Sequence, residues 1–130
     1  MTDGNAELFD VFHLWCEQMR PEAKHKFVVV VAVASDYVLG FVVNSRLNEF
    51  VQTREHLLPC HAPVSCGEHP SFLERDSFVD CQAPYTFPRT NLTTANYRAP
   101  LSVAARAAVL EAVRLCSTLK PVHKKLILGL

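Results

Sequence analysis

The sequence predicts a mainly β fold with a C-terminal helix, in which a small antiparallel sheet curls into a barrel. Three short segments near the start of the chain are apolar and rich in β-branched and aromatic residues, as strands are: Asp10 to Glu17, Lys24 to Val33 and Tyr37 to Ser45. The connections between them are too short for a crossover helix, so neighbouring strands should pair antiparallel. An alanine-rich segment that begins at Ser102 predicts the helix.

Size and charge indicate a single compact domain. The chain has 130 residues, of which 49% are hydrophobic and 20% are charged, enough to bury roughly two-thirds of the unfolded surface. Its 13 basic and 13 acidic side chains cancel, so no overall field draws the protein to nucleic acid or to an anionic membrane. Any phosphate-binding site must therefore be local.

The same composition predicts a soluble, cytoplasmic protein. The longest apolar run, Phe27 to Ala34, is far short of the ~20 residues that span a bilayer. Residues Met1 to Glu7 are polar and acidic, unlike the basic and then apolar layout of a secretory signal. The odd number of cysteines, scattered along the chain, predicts reduced thiols. Two of them, Cys16 and Cys116, lie on apolar periodic segments and are expected in the core.

Residues 46–74 are predicted to form a long irregular insertion. Proline and glycine residues interrupt every periodic pattern there: Pro59, Pro63, Gly67 and Pro70. A segment of this length in a compact domain is usually functional or held by a specific interaction. A short helix near Glu49 to Leu58 accounts for part of it.

Two further strands and the helix follow this insertion. Ser77 to Cys81 alternates as a fourth strand does, and Tyr85 to Phe87 begins a fifth. Ser102 is placed as the N-cap of a helix over residues 102–119, which Pro121 ends.

The ends of the chain complete a single domain over residues 1–130. Residues 1–9 are an N-terminal extension, and residues 122–130 are a tail. The apolar part of the tail, Leu126 to Leu128, is expected to add an edge strand or to cover the core.

The order of these segments resembles the MazF/PemK family of toxin ribonucleases over roughly residues 9 to 119. The resemblance implies a single PemK-like domain with an SH3-like barrel and a terminal helix. It also implies metal-independent cleavage of single-stranded RNA without a cofactor, a homodimer, and a neutralising antitoxin protein. The matching segments are Asp10-Val11-Phe12, His25 to Val30, Phe41 to Ser45, His69-Pro70 with Asp76 to Val79, and Pro100-Leu101-Ser102.

In that family the 2′-hydroxyl of a ribose attacks the neighbouring phosphorus, which requires a base, an acid and donors to the phosphate. The resemblance assigns these tasks to an arginine before the second strand and a threonine at the end of the third. Here His25 occupies the first position between Lys24 and Lys26, and Asn44 occupies the second beside Ser45. We expect His25 to transfer protons, Lys26 to contact phosphate, and Asn44 or Ser45 to position the reacting group.

A structural interpretation of these residues stays open. Lysines at the start of a strand are often a solvated strand end, and asparagine and serine favour the turns that end strands. Further RNA contacts are expected from cations and aromatic rings, because single strands are held by phosphate charge and base stacking. These candidates are Lys24, Arg89, Arg98, Tyr85, Phe87 and Tyr97. Under the alternative interpretation the aromatic residues among them pack in the core.

A second cluster combines thiols with imidazoles around the insertion. Cys60, Cys66, His69 and Cys81 have the chemistry that zinc prefers, although the spacing lacks a tight Cys-x2-Cys pair. Three functions therefore remain at this stage. They are an RNA-cleaving toxin, a related module that has lost catalysis and binds protein or nucleic acid, and a small zinc-stabilised interaction domain.

Overall fold

A computed structural model describes residues 5–130, so residues 1–4 of the predicted N-terminal extension lie outside the described part of the chain. The described part contains seven strands and three α-helices. The strands are β1 (Asp10–Cys16), β2 (Lys24–Val33), β3 (Tyr37–Asn44), β4 (His61–Val64), β5 (Ser77–Asp80), β6 (Tyr85–Pro88) and β7 (Tyr97–Pro100). The helices are α1 (Glu49–Gln52), α2 (Val103–Leu115) and α3 (Pro121–Leu128), with short 3₁₀ turns at Leu58–Cys60 and Arg89–Asn91.

All strand pairings are antiparallel, in the order β4-β5-β3-β2-β1-β7. The first half of β3 also pairs with β6, and its last residues pair with β5. The mainly β fold with C-terminal helical structure is confirmed. The sheet curls, but no pairing within residues 5–130 closes it into the predicted barrel.

Strand β2 is buried on both faces. Because successive side chains of a strand point to opposite faces, Val28 and Val30 pack in an inner core with Phe12. Val29 and Val31 pack in a second core that lies between the sheet and α2. This two-sided burial explains why β2 reads as a continuous apolar run.

The middle of the sheet is packed too closely for an additional side-chain atom at Gly40. A Cβ atom there would overlap Val28 Cγ1 and would lie 3.3 Å from the Val29 carbonyl oxygen. The glycine therefore lets β2 and β3 approach each other where the sheet curls.

The C-terminal region differs from its prediction. The Ser102 N-cap is confirmed, since its hydroxyl accepts a hydrogen bond of 3.1 Å from the Ala105 amide. Helix α2 nevertheless ends at Leu115 instead of residue 119. Pro121 begins α3 at a position where its missing N–H costs nothing. Residues 126–128 are therefore helical instead of an edge strand, and they cover the core, the second expectation, through the buried Ile127.

The insertion also contains more regular structure than its prolines indicate. The predicted short helix is present as α1, but β4 at 61–64 was not predicted, nor was β7 at 97–100. Each of these strands has four residues and includes a proline, and such segments are too short to show an alternating pattern. Among residues 5–130 we find no helix with the length and apolar character needed to cross a membrane.

The cysteines correct the prediction of reduced thiols. Cys60 and Cys116 form a disulfide, with Cα atoms 4.7 Å apart, which joins the start of β4 to the end of α2. Cys16, Cys66 and Cys81 are free, and Cys16 and Cys81 are buried. Cys116 is in the core as expected, but not as an isolated thiol.

The zinc interpretation is wrong because two of the proposed zinc ligands already have other partners. Cys60 is already bonded to Cys116, and both nitrogens of the His69 ring are occupied. His69 Nδ1 lies 2.7 Å from the Ser65 carbonyl oxygen, and Nε2 accepts a hydrogen bond of 2.9 Å from the Ser102 amide. Within residues 5–130 no group of three or more histidine, cysteine or acidic side chains could hold a metal ion.

The disulfide yields the first prediction. It closes a loop with a sequence separation of 56 residues, so its loss should lower the free energy of unfolding by about 4 kcal/mol in the chain-entropy model. A reducing agent should lower the urea concentration at the unfolding midpoint of the wild type. It should leave the midpoint of a Cys60→Ala/Cys116→Ala variant unchanged. Cys66→Ser is the matched control and should respond to the reductant as the wild type does. An unchanged wild-type midpoint under reduction would contradict this expectation.

Candidate functional site

The start of β2 and the end of β3 bring two predicted site residues into contact. The register pairs Val28 with Val42, and in an antiparallel pair this register sets Lys26 opposite Asn44. The Lys26 ammonium donates a hydrogen bond of 2.6 Å to Asn44 Oδ1. The two strand ends therefore meet as predicted, and the lysine and the amide form their common contact.

His25 lies on the other face of the sheet. It is paired with Trp15 on β1, and its ring stacks on His13 with centroids 5.1 Å apart. Neighbouring residues of a strand project to opposite faces, so the imidazole of His25 points away from the Lys26–Asn44 pair. His25 therefore does not line the hollow that Lys26 shares with Asn44, although it lines a second hollow together with Lys26 and Ser45.

Lys26 and Asn44 line a cleft of about 370 Å³, which we call the cationic cleft. Four positively charged residues surround it: Arg20, Lys24, Lys26 and Arg46. Asp80 supplies the single carboxylate among the residues that line the cleft. Although the whole chain is formally neutral, the cleft concentrates positive charge where a phosphate group would bind.

Partial burial changes the acidity of Lys26. Burial lowers the pKa of its ammonium because desolvation disfavours the charged form, and the nearby charge of Lys24 lowers it further. Cys16 and Asp80 act in the opposite direction. The net shift is downward, so Lys26 releases its proton more readily than a solvated lysine does. A lysine with a lowered pKa can act as a proton acceptor as well as a cation.

The cleft contains an imidazole that sequence reasoning missed. His61, on β4, lines the cleft, and it is absent from the site residues predicted for phosphate chemistry. Its Nδ1 lies 2.9 Å from the Leu57 carbonyl oxygen, which can only accept a hydrogen bond, so Nδ1 carries a proton. Nε2 then lies 3.6 Å from Asp80 Oδ1 and 3.4 Å from Gln82 Nε2. The residue could have been found only by recognising β4 and its pairing with β5.

Ser45 and Lys24 are exposed and lie at the cationic cleft. Ser45 also borders a second hollow of about 350 Å³ on the other face, which His25 and Phe72 line as well. Ser45 and Lys26 are therefore the predicted catalytic residues that border both hollows.

The predicted RNA contacts separate into two groups. Tyr85 is half-buried and lines the cationic cleft. Phe87 is buried in the inner core, and Tyr97 packs edge-on against Phe12 with ring centroids 5.5 Å apart. Phe87 is therefore a core residue, whereas Tyr97 is half-buried against that core.

The two predicted arginines bind the protein's own backbone. Arg89 donates hydrogen bonds to the carbonyl oxygens of Ala34 and Ser35 at 3.1 and 3.4 Å. Arg98 donates to those of Ala95 and Tyr97 at 2.9 and 3.0 Å. Both therefore hold local backbone segments in place, as Arg20 in the cationic cleft also does through the carbonyl oxygens of Glu17 and Met19.

Two comparisons with known proteins identify no relative of this chain. A scan of protein-family models returns no match for the chain, and a search of curated proteins returns none either.

The acidity of Lys26 gives the second prediction. Its pKa is lower in the folded protein than in the unfolded chain, so the buried ammonium disfavours folding below the folded-state pKa. This penalty is lost as the pH rises through the folded-state value towards 10.5. Wild-type stability should therefore increase relative to Lys26→Met over that interval, measured by urea unfolding of both proteins at each pH. A constant difference between them would show that the ammonium is solvated.

Proposed function

We propose that the protein is a metal-independent endoribonuclease that cleaves single-stranded RNA in the cationic cleft, as the resemblance to MazF/PemK toxins implies. The observation that carries this proposal is the Lys26–Asn44 hydrogen bond at the centre of the cleft. It places the amide, at the end of the third strand, against a cation at the start of the second. In the resembled family a threonine holds the place of Asn44, and the family's arginine corresponds to His25, the residue before Lys26.

Phosphate binding is the first requirement, and the charge of the cleft supports it. Lys24, Arg20 and Arg46 are exposed around the half-buried Lys26. Exposed cations without carboxylate partners bind phosphate oxygens at little desolvation cost. Within residues 5–130, the salt bridges found are His61–Asp80 and Glu111–Arg114, and neither occupies the cations of the cleft.

Proton transfer is the second requirement. In the reaction, the neutral amine of Lys26 takes the proton of the ribose 2′-hydroxyl, and the 2′-oxygen forms a bond to phosphorus. The bond from phosphorus to the 5′-oxygen breaks, and that oxygen takes a proton from solvent water at the cleft. The products are a 2′,3′-cyclic phosphate and a 5′-hydroxyl end. Asn44 holds Lys26 through Oδ1, while its amide NH₂ group can donate to a phosphate oxygen.

Binding without cleavage is the second candidate function. It is favoured by the position of His25, because the imidazole expected to transfer protons lies on the face opposite the cleft. Phosphate binding needs only the cations and would survive the loss of catalysis. The two candidates differ in whether the bound RNA is cut.

The resemblance also implies a homodimer and an antitoxin protein as partner, and these accompany the proposed function together with the cytoplasmic location that the composition predicts. An acidic antitoxin segment placed in the cationic cleft would compete directly with RNA. The inhibited and the RNA-bound states would then exclude each other.

Cleavage of a labelled, unstructured RNA in EDTA gives the third prediction. The wild type should produce cyclic phosphate ends, and Lys26→Met should reduce the rate by about 10²-fold or more, as expected for loss of a proton-transfer residue. A 2′-O-methyl copy of the same RNA should bind but stay intact, because its 2′-oxygen has no proton to lose.

Lys125→Met, which removes an exposed lysine from α3, is the matched control and should retain wild-type activity. Equal cleavage by Lys26→Met purified in the same way would contradict the proposed role. Tight binding of RNA that stays intact at every protein concentration would instead establish the non-cleaving module.

A further inference from the structure

The sheet leaves an opening between β1 and β6 that holds a groove of about 580 Å³, which we call the seam groove. We propose that the seam groove binds a nucleobase of the RNA strand whose phosphate lies in the cationic cleft. This inference rests on the proposed function and assigns a second subsite to it. The groove is lined by aromatic rings from β1 and β2 and by polar side chains from residues 86–96.

The aromatic wall of the groove is exposed. Trp15 has 48% of its surface accessible, although the neighbouring residues of β1, Leu14 and Cys16, are buried in the inner core. Its indole packs edge-on against His25, with ring centroids 5.1 Å apart, and His25 stacks on His13. Three ring systems thus line one side of the groove, and every nucleobase has a flat π-face that stacks on such rings.

The backbone of β1 is also unpaired here. Strand β7 pairs with β1 only as far as Phe12, and the last hydrogen bond on that edge runs from the His13 amide to the Asn96 carbonyl oxygen, at 2.8 Å. Trp15 lies two residues further along, so its amide and carbonyl groups face the same edge. No hydrogen bond from the described residues reaches them there. A donor and an acceptor are therefore available to the edge of a base.

The opposite wall is polar. Gln18 crosses the opening and donates a hydrogen bond of 3.2 Å to the Thr86 carbonyl oxygen, so the groove is bounded on both sides. Additional amide and hydroxyl groups line it, from Thr90, Asn91, Thr93 and Asn96. Groups that both donate and accept can bind the polar edge of a base while the rings contact its face.

The seam groove and the cationic cleft adjoin. Tyr85 lines both of them, so a nucleic acid strand with a phosphate at Lys26 can place a neighbouring base beside Tyr85 and into the groove. This adjacency favours a nucleotide over an added peptide strand. The unpaired edge of β1 extends only from Leu14 to Cys16, which is too short for a strand of typical length.

The test uses the fact that Trp15 is the only tryptophan in the chain. Its fluorescence therefore reports on the seam groove alone. The wild type is titrated with a short 2′-O-methyl RNA, which is not cut, and with an abasic chain that has the same number of phosphates. The RNA should quench Trp15, whereas the abasic chain should bind more weakly and leave the fluorescence unchanged.

Variants separate the two subsites, with affinity measured by anisotropy of the labelled chains. Trp15→Leu should weaken binding of the base-bearing chain by roughly 5- to 150-fold, the range expected for loss of one stacking contact, and should not affect the abasic chain. Lys26→Met should weaken both chains. Tyr37→Leu is the matched control, because Tyr37 is an equally exposed aromatic residue at the start of β3 that lines neither hollow.

The outcomes distinguish this inference from the proposed function. If both chains bind equally tightly, depend on Lys26 and leave Trp15 fluorescence unchanged, the base subsite is excluded while the phosphate site stands. If neither chain binds, the proposed function fails and the base subsite fails with it. If the RNA quenches Trp15 in the wild type but Trp15→Leu binds the same RNA with unchanged affinity, the inference is likewise overturned.

Discussion

The antiparallel pairing of β2 with β3 is the constraint on which the candidate site depends. Its register places Lys26 opposite Asn44, and the close approach at Gly40 supports that register by allowing the two backbones to pack tightly. The valines that follow Lys26 are buried on both faces, so the hydrophobic effect fixes the strand over most of its length. The polar end of β2 is thereby held in place by apolar residues that have no chemical role.

The sequence was sufficient to predict the three long strands, the N-cap of α2 and the place where two polar strand ends meet. It was not sufficient to predict which side chains share a face. A strand that is buried on one side shows its orientation through alternating polar and apolar residues, but the valines of β2 are apolar on both sides. Alternation along the predicted strand already requires His25 and Lys26 to lie on opposite faces, but nothing in the sequence indicated which of the two shares a face with Asn44.

Other differences come from interactions between distant parts of the chain. Cys60 and Cys116 are paired across a separation of 56 residues, and no local pattern identifies that partner. Strand β4 becomes regular because β5 provides its hydrogen bonds, which overrides the proline at position 63. The His61 imidazole enters the cationic cleft through that pairing. The missed residues are thus those whose positions depend on tertiary contacts.

The alternation along β2 has a consequence for how such a site can change through evolution. Because His25 and Lys26 occupy opposite faces, an insertion or deletion of one residue between them and the buried valines would exchange the two. The ammonium would move to the aromatic side of the sheet and the imidazole would move to the side of the cationic cleft, with the core unaltered. Proteins that share this scaffold could therefore acquire a histidine-centred or a lysine-centred reaction. A one-residue shift along a single strand would decide which of the two side chains faces the site.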